Sequence, residues 1–256
     1  MSKQAFTFAA IGEVRSCFKE KFGIPRQPGL APSAKAEILI YPEFAQPEAF
    51  AGLDQCSHIW LQFVFHAAGV EWRPKVRPPR LGGNKTLGVF ASRSPNRPNP
   101  IGLSAVSYLG SRGSSDGYII EIGGADLLDG TPILDIKPYV PYADAVPTAI
   151  NRIAPEAPDI HPVRFSEAAL SYCSTYDEAR GESPGSLMTL VTEILQQDPR
   201  PQYQALDENR LYGMRLFDLN VRWRYFHNDK SGANGLYIHV TSIAPFHDNE
   251  CLEFLS

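Results

Sequence analysis

The sequence predicts a mainly β chain, an antiparallel barrel or sandwich followed by a smaller α/β lobe. Three observations carry this expectation. Short runs of β-branched and aromatic residues recur between residues 36 and 136, separated by Gly, Ser, Asp and Pro clusters. Strand never alternates with long helix there, which disfavours a doubly wound sheet. After about residue 141 the composition changes, and a stretch with five prolines precedes a strongly amphipathic helical pattern.

Taken in order, residues 6–11 alternate weakly, and residues 36–41 form an apolar run ended by Pro42. A short helical stretch at residues 47–53 leads into residues 56–66, CSHIWLQFVFH, the strongest strand pattern in the chain. Further strands are expected at residues 87–92, 103–109, 118–122 and 132–136. Residues 142–162 read as a Pro-rich connection between a first domain, residues 1–141, and a C-terminal lobe, residues 163–256. In that lobe Leu187, Leu190, Val191, Ile194 and Leu195 recur at helical spacing, with Ser183 as the expected N-cap, Pro184 in the first turn and Asp198-Pro199 as the stop. Two strands follow at residues 214–226 and 236–243, joined as a hairpin through residues 228–235. Period two on the first puts Leu216, Asp218, Asn220, Arg222 and Arg224 on a polar face. Phe217, Leu219, Val221, Trp223 and Tyr225 then form its core face.

At 256 residues the chain can build one large domain or two smaller ones, and 43% apolar with 20% charged residues is ordinary globular composition. The N-terminus lacks the apolar core of a signal peptide, and no run approaches the roughly 18 apolar residues needed to cross a bilayer. The four cysteines are scattered without a CxxC pair. These features predict a soluble, cytoplasmic chain with reduced thiols, Cys56 and Cys173 being small core residues.

Charge is segregated. Residues 72–115 carry eight basic side chains and no Asp or Glu, on a chain of formal charge −4, so the remainder carries about −12. A rigid, Pro-rich, acid-free stretch on an acidic protein implies an anionic partner, phosphate-rich or nucleic acid.

Several site patterns are absent: GxGxxG, a Walker loop, HExxH, GxSxG and paired CxxC. His58 and His66 share a strand face but lie about 26 Å apart at strand rise, too far to share a metal. Three loops carry candidate chemistry. In IPRQPGL, Arg26 and Gln27 are held between Pro25 and Pro28, either as a structural turn or as a preorganised ligand contact. RSPNRPNPIG presents Arg93 and Arg97, whose planar forks suit phosphate or carboxylate, unless the loop is a solvated Pro-rich turn. In GGADLLDGT, Asp126 and Asp129 either accept hydroxyl or amino donors or make Asx turns. The polar face with Arg222 and Arg224 is either solvated or turned toward RNA.

Together these residues resemble the TsaA/YaeB-like family, the TrmO tRNA N6-adenosine methyltransferases. The matching strings are EKFGIPRQPGL, the strand ending FVFH, WRPKVRPPRLGG, GVFASRSPNRPNPIG, DLLDGTPILDIKPY, QDPRPQY and DLNVRW, in order over residues 12–223. The resemblance implies a β-barrel domain that binds S-adenosylmethionine, and methylation of N6 of threonylcarbamoyl-adenosine at position 37, next to the anticodon, mainly in threonine tRNA. It also implies a homodimer with the cofactor near the subunit interface, and chemistry that needs neither metal nor protein nucleophile. Cofactor contacts are expected at Pro25, Arg26, Gln27, His66, Ala67, Arg93, Leu103, Asp126, Leu127, Leu128 and Asp129. Ala67 departs from the Gln usual after this histidine, so only its backbone can serve. Contacts to tRNA are expected at Arg73, Arg77, Arg80, Arg97, Lys137, Tyr139, Asp198, Arg200, Asn220 and Arg222. The acceptor of the N6 proton is not identified by the sequence. Two other readings of the same basic surface are a non-catalytic RNA-binding module and a β-barrel enzyme acting on a small phosphorylated metabolite.

Overall fold

Strand alternation in the first half produces a barrel. The computed structural model describes residues 4–69, 71–78, 86–201, 204–227 and 235–247. Its first eight strands are β1 (Gly12–Ser16), β2 (Ala36–Ile40), β3 (His58–Val64), β4 (Lys75–Val76), β5 (Leu87–Gly88), β6 (Ile101–Ser114), β7 (Gly117–Gly123) and β8 (Pro132–Pro138). Six of them close an antiparallel barrel in the order β1-β2-β7-β6-β3-β8, while β4 and β5 pair apart from it. Inward residues at period two, among them Ile38, Ile40, Ile59, Leu61, Val106, Ile120, Ile122 and Ile133, fill the barrel as one buried cluster. Closure leaves no exposed barrel edge.

Four expectations change here. Residues 4–11 form no strand, and Phe6 and Phe8 are exposed; the barrel is entered only at Ile11, whose N–H donates to the Ile133 carbonyl at 2.8 Å. The helical stretch at 47–53 is a pair of 3-10 turns, Pro47–Phe50 and Leu53–Gln55. The run at 87–92 is strand for two residues, after which a 3-10 turn at Val89–Ala91 buries Val89. Cys17 and Cys173 are the buried cysteines, and Cys56 is only half-buried.

The second half contains α1 (Pro141–Asp144), β9 (Val163–Phe165), α2 (Glu167–Arg180), α3 (Ser186–Leu195), β10 (Tyr212–Leu216), β11 (Leu219–His227) and β12 (Leu236–Pro245). The four strands form a sheet ordered β10-β11-β12-β9, with β9 parallel to β12. Helix α2 has no counterpart in the sequence reading, because it buries only Ala169, Cys173 and Asp177 and so lacks an apolar stripe. Helix α3 is capped differently from expectation. Its N-cap is Gly185, and the Asp177 carboxylate accepts from the N–H groups of Gly185 (2.9 Å) and Leu187 (3.1 Å) in place of a Ser183 cap.

The expected strand at 214–226 is two strands. Phe217 adopts φ 55°, its N–H donates to the Cys17 carbonyl at 2.7 Å, and Leu216 pairs with Leu219 across the turn. Leu216 therefore enters the core, whereas Leu219, Val221, Trp223 and Tyr225 hold the core face as read. The expected hairpin connection falls mostly on residues 228–234, outside the described residues.

The lobe's apolar cluster also contains Cys17, Phe18, Ala31 and Ala34. The segment between β1 and β2 thus leaves the barrel, packs on the C-terminal sheet and returns.

Candidate functional site

Three irregular segments meet at one end of the barrel, and hydrogen bonds fix each of them. The proline-flanked turn at residues 24–30 docks on the loop after β7 through Gly29 N–H to the Gly124 carbonyl, 2.9 Å. Gly124 sits at φ +68°, and a Cβ there would meet the Gly29 Cα at 3.1 Å, so two backbones approach where no side chain fits. The loop after β7 is anchored at its far end by Asp129. One carboxylate oxygen accepts from Ser16 N–H at 2.8 Å and the other pairs with the Lys19 ammonium at 2.8 Å. In the third segment, between β5 and β6, the Arg97 guanidinium donates to the carbonyls of Ser92 (2.7 Å) and Val89 (3.2 Å) and lies over the Phe90 ring. Arginine holds this proline-rich loop by bridging its carbonyls.

Between the segments lies a cleft of ≈ 650 Å³. Pro25, Arg26, Gln27, His66, Ala67, Arg93, Leu103, Asp126, Leu127 and Leu128 all line it, as does Arg97. Asp129 does not, since both its oxygens serve the loop anchor. Arg73 and Arg77 are exposed on the arm formed by β4 and β5, which is tied to the neighbouring loop by Arg73 N–H to Asn96 O (3.2 Å) and Val89 N–H to Pro74 O (3.0 Å). Arg80 lies outside the described residues. Lys137 pairs with Asp135 at 2.6 Å, and the Tyr139 ring packs 5.6 Å from Trp60, itself a cleft residue. Asp198 and Arg200 pair with each other at 3.0 Å with both side chains largely buried. Asn220 is buried and Arg222 half-buried on β11.

Asp126 is the one acidic side chain lining the cleft among the described residues. Burial pushes its carboxyl up from the ordinary 3.8 to about 6; the Ser104 hydroxyl, donating at 2.7 Å, and the nearby positive charge of Arg93 oppose that rise. Arg93 in turn donates to the Gln27 side-chain oxygen, closing the cleft rim across two segments. Ser104 escaped the sequence reading although alternation along β6 carried the signal: Gly102, Ser104 and Val106 are buried on its inner face. Trp60, Phe63 and Phe65 were also missed as lining residues, because aromatic residues in a strand read as core. Gly102 is required where it stands, a Cβ there falling 2.2 Å from the Phe63 ring. Leu103 and Ile101 stay about half exposed at the rim, leaving apolar surface for a ligand.

A cleft of this size, with apolar walls and a few convergent polar groups, is a small-molecule site. Its lining fits a cofactor with a purine, hydroxyl and amino donors and a carboxylate: Phe65, Ile101 and Leu103 offer apolar surface, the Asp126 carboxylate is an acceptor, and Arg93 is a cation suited to an anion. Among the described residues no group of His, Cys, Asp and Glu is arranged to hold a metal, and no helix is long and apolar enough to cross a membrane.

Comparison with known proteins places most of the chain in one family. The tRNA-methyltransferase O N-terminal domain model matches residues 13–145, and the corresponding C-terminal domain model matches residues 158–234. A Pseudomonas aeruginosa protein described as a putative S-adenosylmethionine-dependent methyltransferase is 51% identical over 84% of this chain and 90% of its own length. The Escherichia coli tRNA (adenine(37)-N6)-methyltransferase is 44% identical over 86% of this chain and 93% of its own. The crystal structure of TrmO from Pseudomonas aeruginosa superposes with a TM-score of 0.76 at 41% identity, covering 94% of this chain and 99% of the other.

Proposed function

This chain belongs to the tRNA-methyltransferase O family, and we propose that it is an S-adenosylmethionine-dependent methyltransferase acting on N6 of adenine 37 in tRNA. The observation that carries the reading is convergence: residues 25–27, 66–67, 93, 103 and 126–128, separated in sequence, line a single cleft. A relative named for this activity and similar over most of the chain, with another named as a putative S-adenosylmethionine-dependent methyltransferase, supports this reading over a non-catalytic module or a metabolite enzyme.

S-adenosylmethionine, when bound, supplies a sulfonium methyl open to in-line displacement by N6. What the chain contributes is alignment, which is where most of the rate of such a transfer arises. Pro25 and Gly124 fix the turn that presents Gln27, and Gln27 fixes Arg93 at the rim. Asp126, ionised above about pH 6, accepts from donor groups of the bound cofactor. The exposed arm with Arg73, Lys75 and Arg77 meets tRNA phosphates beside the cleft. Arg97 acts through the loop it braces, because one of its guanidinium nitrogens already serves two carbonyls.

The substrate base is threonylcarbamoyl-adenosine. Its carbamoyl group makes the N6 proton more acidic, and its carboxylate suits the cationic, acid-poor rim around Arg93. The protein works as a homodimer, a reading supported by the exposed apolar side chains Tyr142, Val146, Ile150 and Ile160 along the connection. A tRNA substrate supports a cytoplasmic location.

Incubation with labelled S-adenosylmethionine and tRNA containing or lacking the threonylcarbamoyl group tests the proposal. Label is expected in the modified tRNA alone. Equal transfer to both would remove the carbamoyl requirement, and transfer to neither would overturn the activity.

A further inference from the structure

The turn that lines the cofactor cleft is held from the C-terminal lobe as much as from the barrel. Residues 24–34 form no helix or strand, so their conformation is set by the groups they bond. On the barrel side these are Gly29 N–H to Gly124 O and Ala125 N–H to Ala34 O. On the lobe side they come from the last turn of α3 and the residues just after it. The Glu193 carboxylate accepts from Ser33 N–H at 2.8 Å and from Ser33 Oγ at 3.1 Å. The Gln197 amide nitrogen donates to the Leu30 carbonyl at 2.7 Å and back to the Glu193 carbonyl at 2.8 Å. The Arg26 guanidinium donates to the carbonyls of Asp198 and Arg200, both at 3.2 Å.

The receiving end is itself rigid. Asp198 takes φ 49°, an uncommon backbone state for a non-glycine residue. Its carboxylate is paired with Arg200, whose guanidinium also donates to the Gln204 carbonyl at 2.8 Å and lies over the fully buried Tyr225 ring. The chain thus runs from the lobe core through Arg200 and Asp198 to Arg26, and from there to Gln27 and Arg93 at the cleft rim.

We propose that Glu193 and Gln197 are positioning residues for cofactor binding, and that the C-terminal lobe sets the affinity of the barrel cleft by clamping residues 26–33. This rests on the reading of the cleft as the S-adenosylmethionine site. The physical basis is population: releasing the clamp lets the turn sample conformations that do not bind, and the apparent dissociation constant rises by the inverse of the competent fraction. A neutral hydrogen bond of ordinary net strength corresponds to about fivefold in affinity. Gln197→Ala should therefore raise the S-adenosylmethionine dissociation constant about fivefold, and the Glu193→Ala/Gln197→Ala pair by about tenfold or more. Glu193→Gln keeps one acceptor for Ser33 and should fall between wild type and Glu193→Ala.

The experiment uses the full chain: calorimetric titration with S-adenosylmethionine, tRNA affinity by filter binding, and amide exchange of residues 26–33 without ligand. The expected result is faster exchange in that segment and weaker cofactor binding in the order wild type, Glu193→Gln, Glu193→Ala, with tRNA affinity unchanged. Wild-type cofactor affinity in the double variant overturns the proposal and leaves the assigned activity standing. Equal loss of cofactor and tRNA affinity overturns it as well, since that is general damage to the lobe. No titration by the wild-type protein would overturn the cofactor reading itself, and the proposal with it.

Discussion

Replacing Asp126 by Asn removes a buried negative charge and should make the cofactor-free protein more stable while weakening the site. The folded-state value of about 6 lies above the ordinary 3.8 because burial disfavours the carboxylate. A raised value means the folded chain holds its proton more tightly than the unfolded chain does. The contribution to stability is then favourable below about pH 3.8 and is lost as pH rises through about 6. At 1.36 kcal/mol per pH unit the full loss is about 3 kcal/mol, and partial exposure of the residue reduces this to roughly half. Asp126→Asn keeps an acceptor for Ser104 and carries no charge, so at pH 8 it should gain about 1.5 kcal/mol, or roughly 3–6 °C in melting temperature. Near pH 4 the two proteins should melt together. Calorimetric scans at both pH values measure this, and titration with S-adenosylmethionine at pH 8 should show weaker binding by the variant. Equal melting temperatures at pH 8, or a gain as large at pH 4, would refute the assignment of a burial penalty to this carboxylate.

Other substitutions test other parts of the account. Gly124→Ala places a Cβ at positive φ against the Gly29 backbone; it should cost about 1–2 kcal/mol locally, seen as an approximately tenfold rise in the cofactor dissociation constant. Arg97→Ala releases the Val89 and Ser92 carbonyls, and it should raise KM for S-adenosylmethionine, with partial rescue by Lys, whose ammonium can donate to both carbonyls. Asp177→Ala leaves the N–H groups at the start of α3 without their acceptor; it should destabilise the lobe by about 1–2 kcal/mol in denaturant titration.

Much of the barrel was legible because its strands are short apolar runs rich in β-branched and aromatic residues and its turns carry Gly and Pro; β2, β3, β7 and β8 fall on those runs. Long-range choices were not legible. Nothing local in LFDLN shows that Phe217 N–H finds the Cys17 carbonyl, yet that bond accompanies the turn that splits one expected strand into two. Helix α2 was hidden because it packs through a narrow strip of Ala169, Cys173 and the capping Asp177. At the site, the expected cofactor positions came from motif strings, whereas Ser104 and the contacts of Glu193 and Gln197 depend on which chain segments meet in space. Asp198 and Arg200 show the converse. Their string pointed to an RNA contact, and the fold pairs them with each other beneath Arg26.

On the proposed function, the cleft directs a methyl group to one atom of one nucleotide. Nucleoside mass spectrometry of tRNA after reaction with isotopically labelled S-adenosylmethionine tests it most directly. Label confined to N6 of the adenine at position 37, and abolished by Arg93→Ala together with Asp126→Ala, is the predicted result. Label on another base, or undiminished label at position 37 with the doubly substituted cleft, would contradict it.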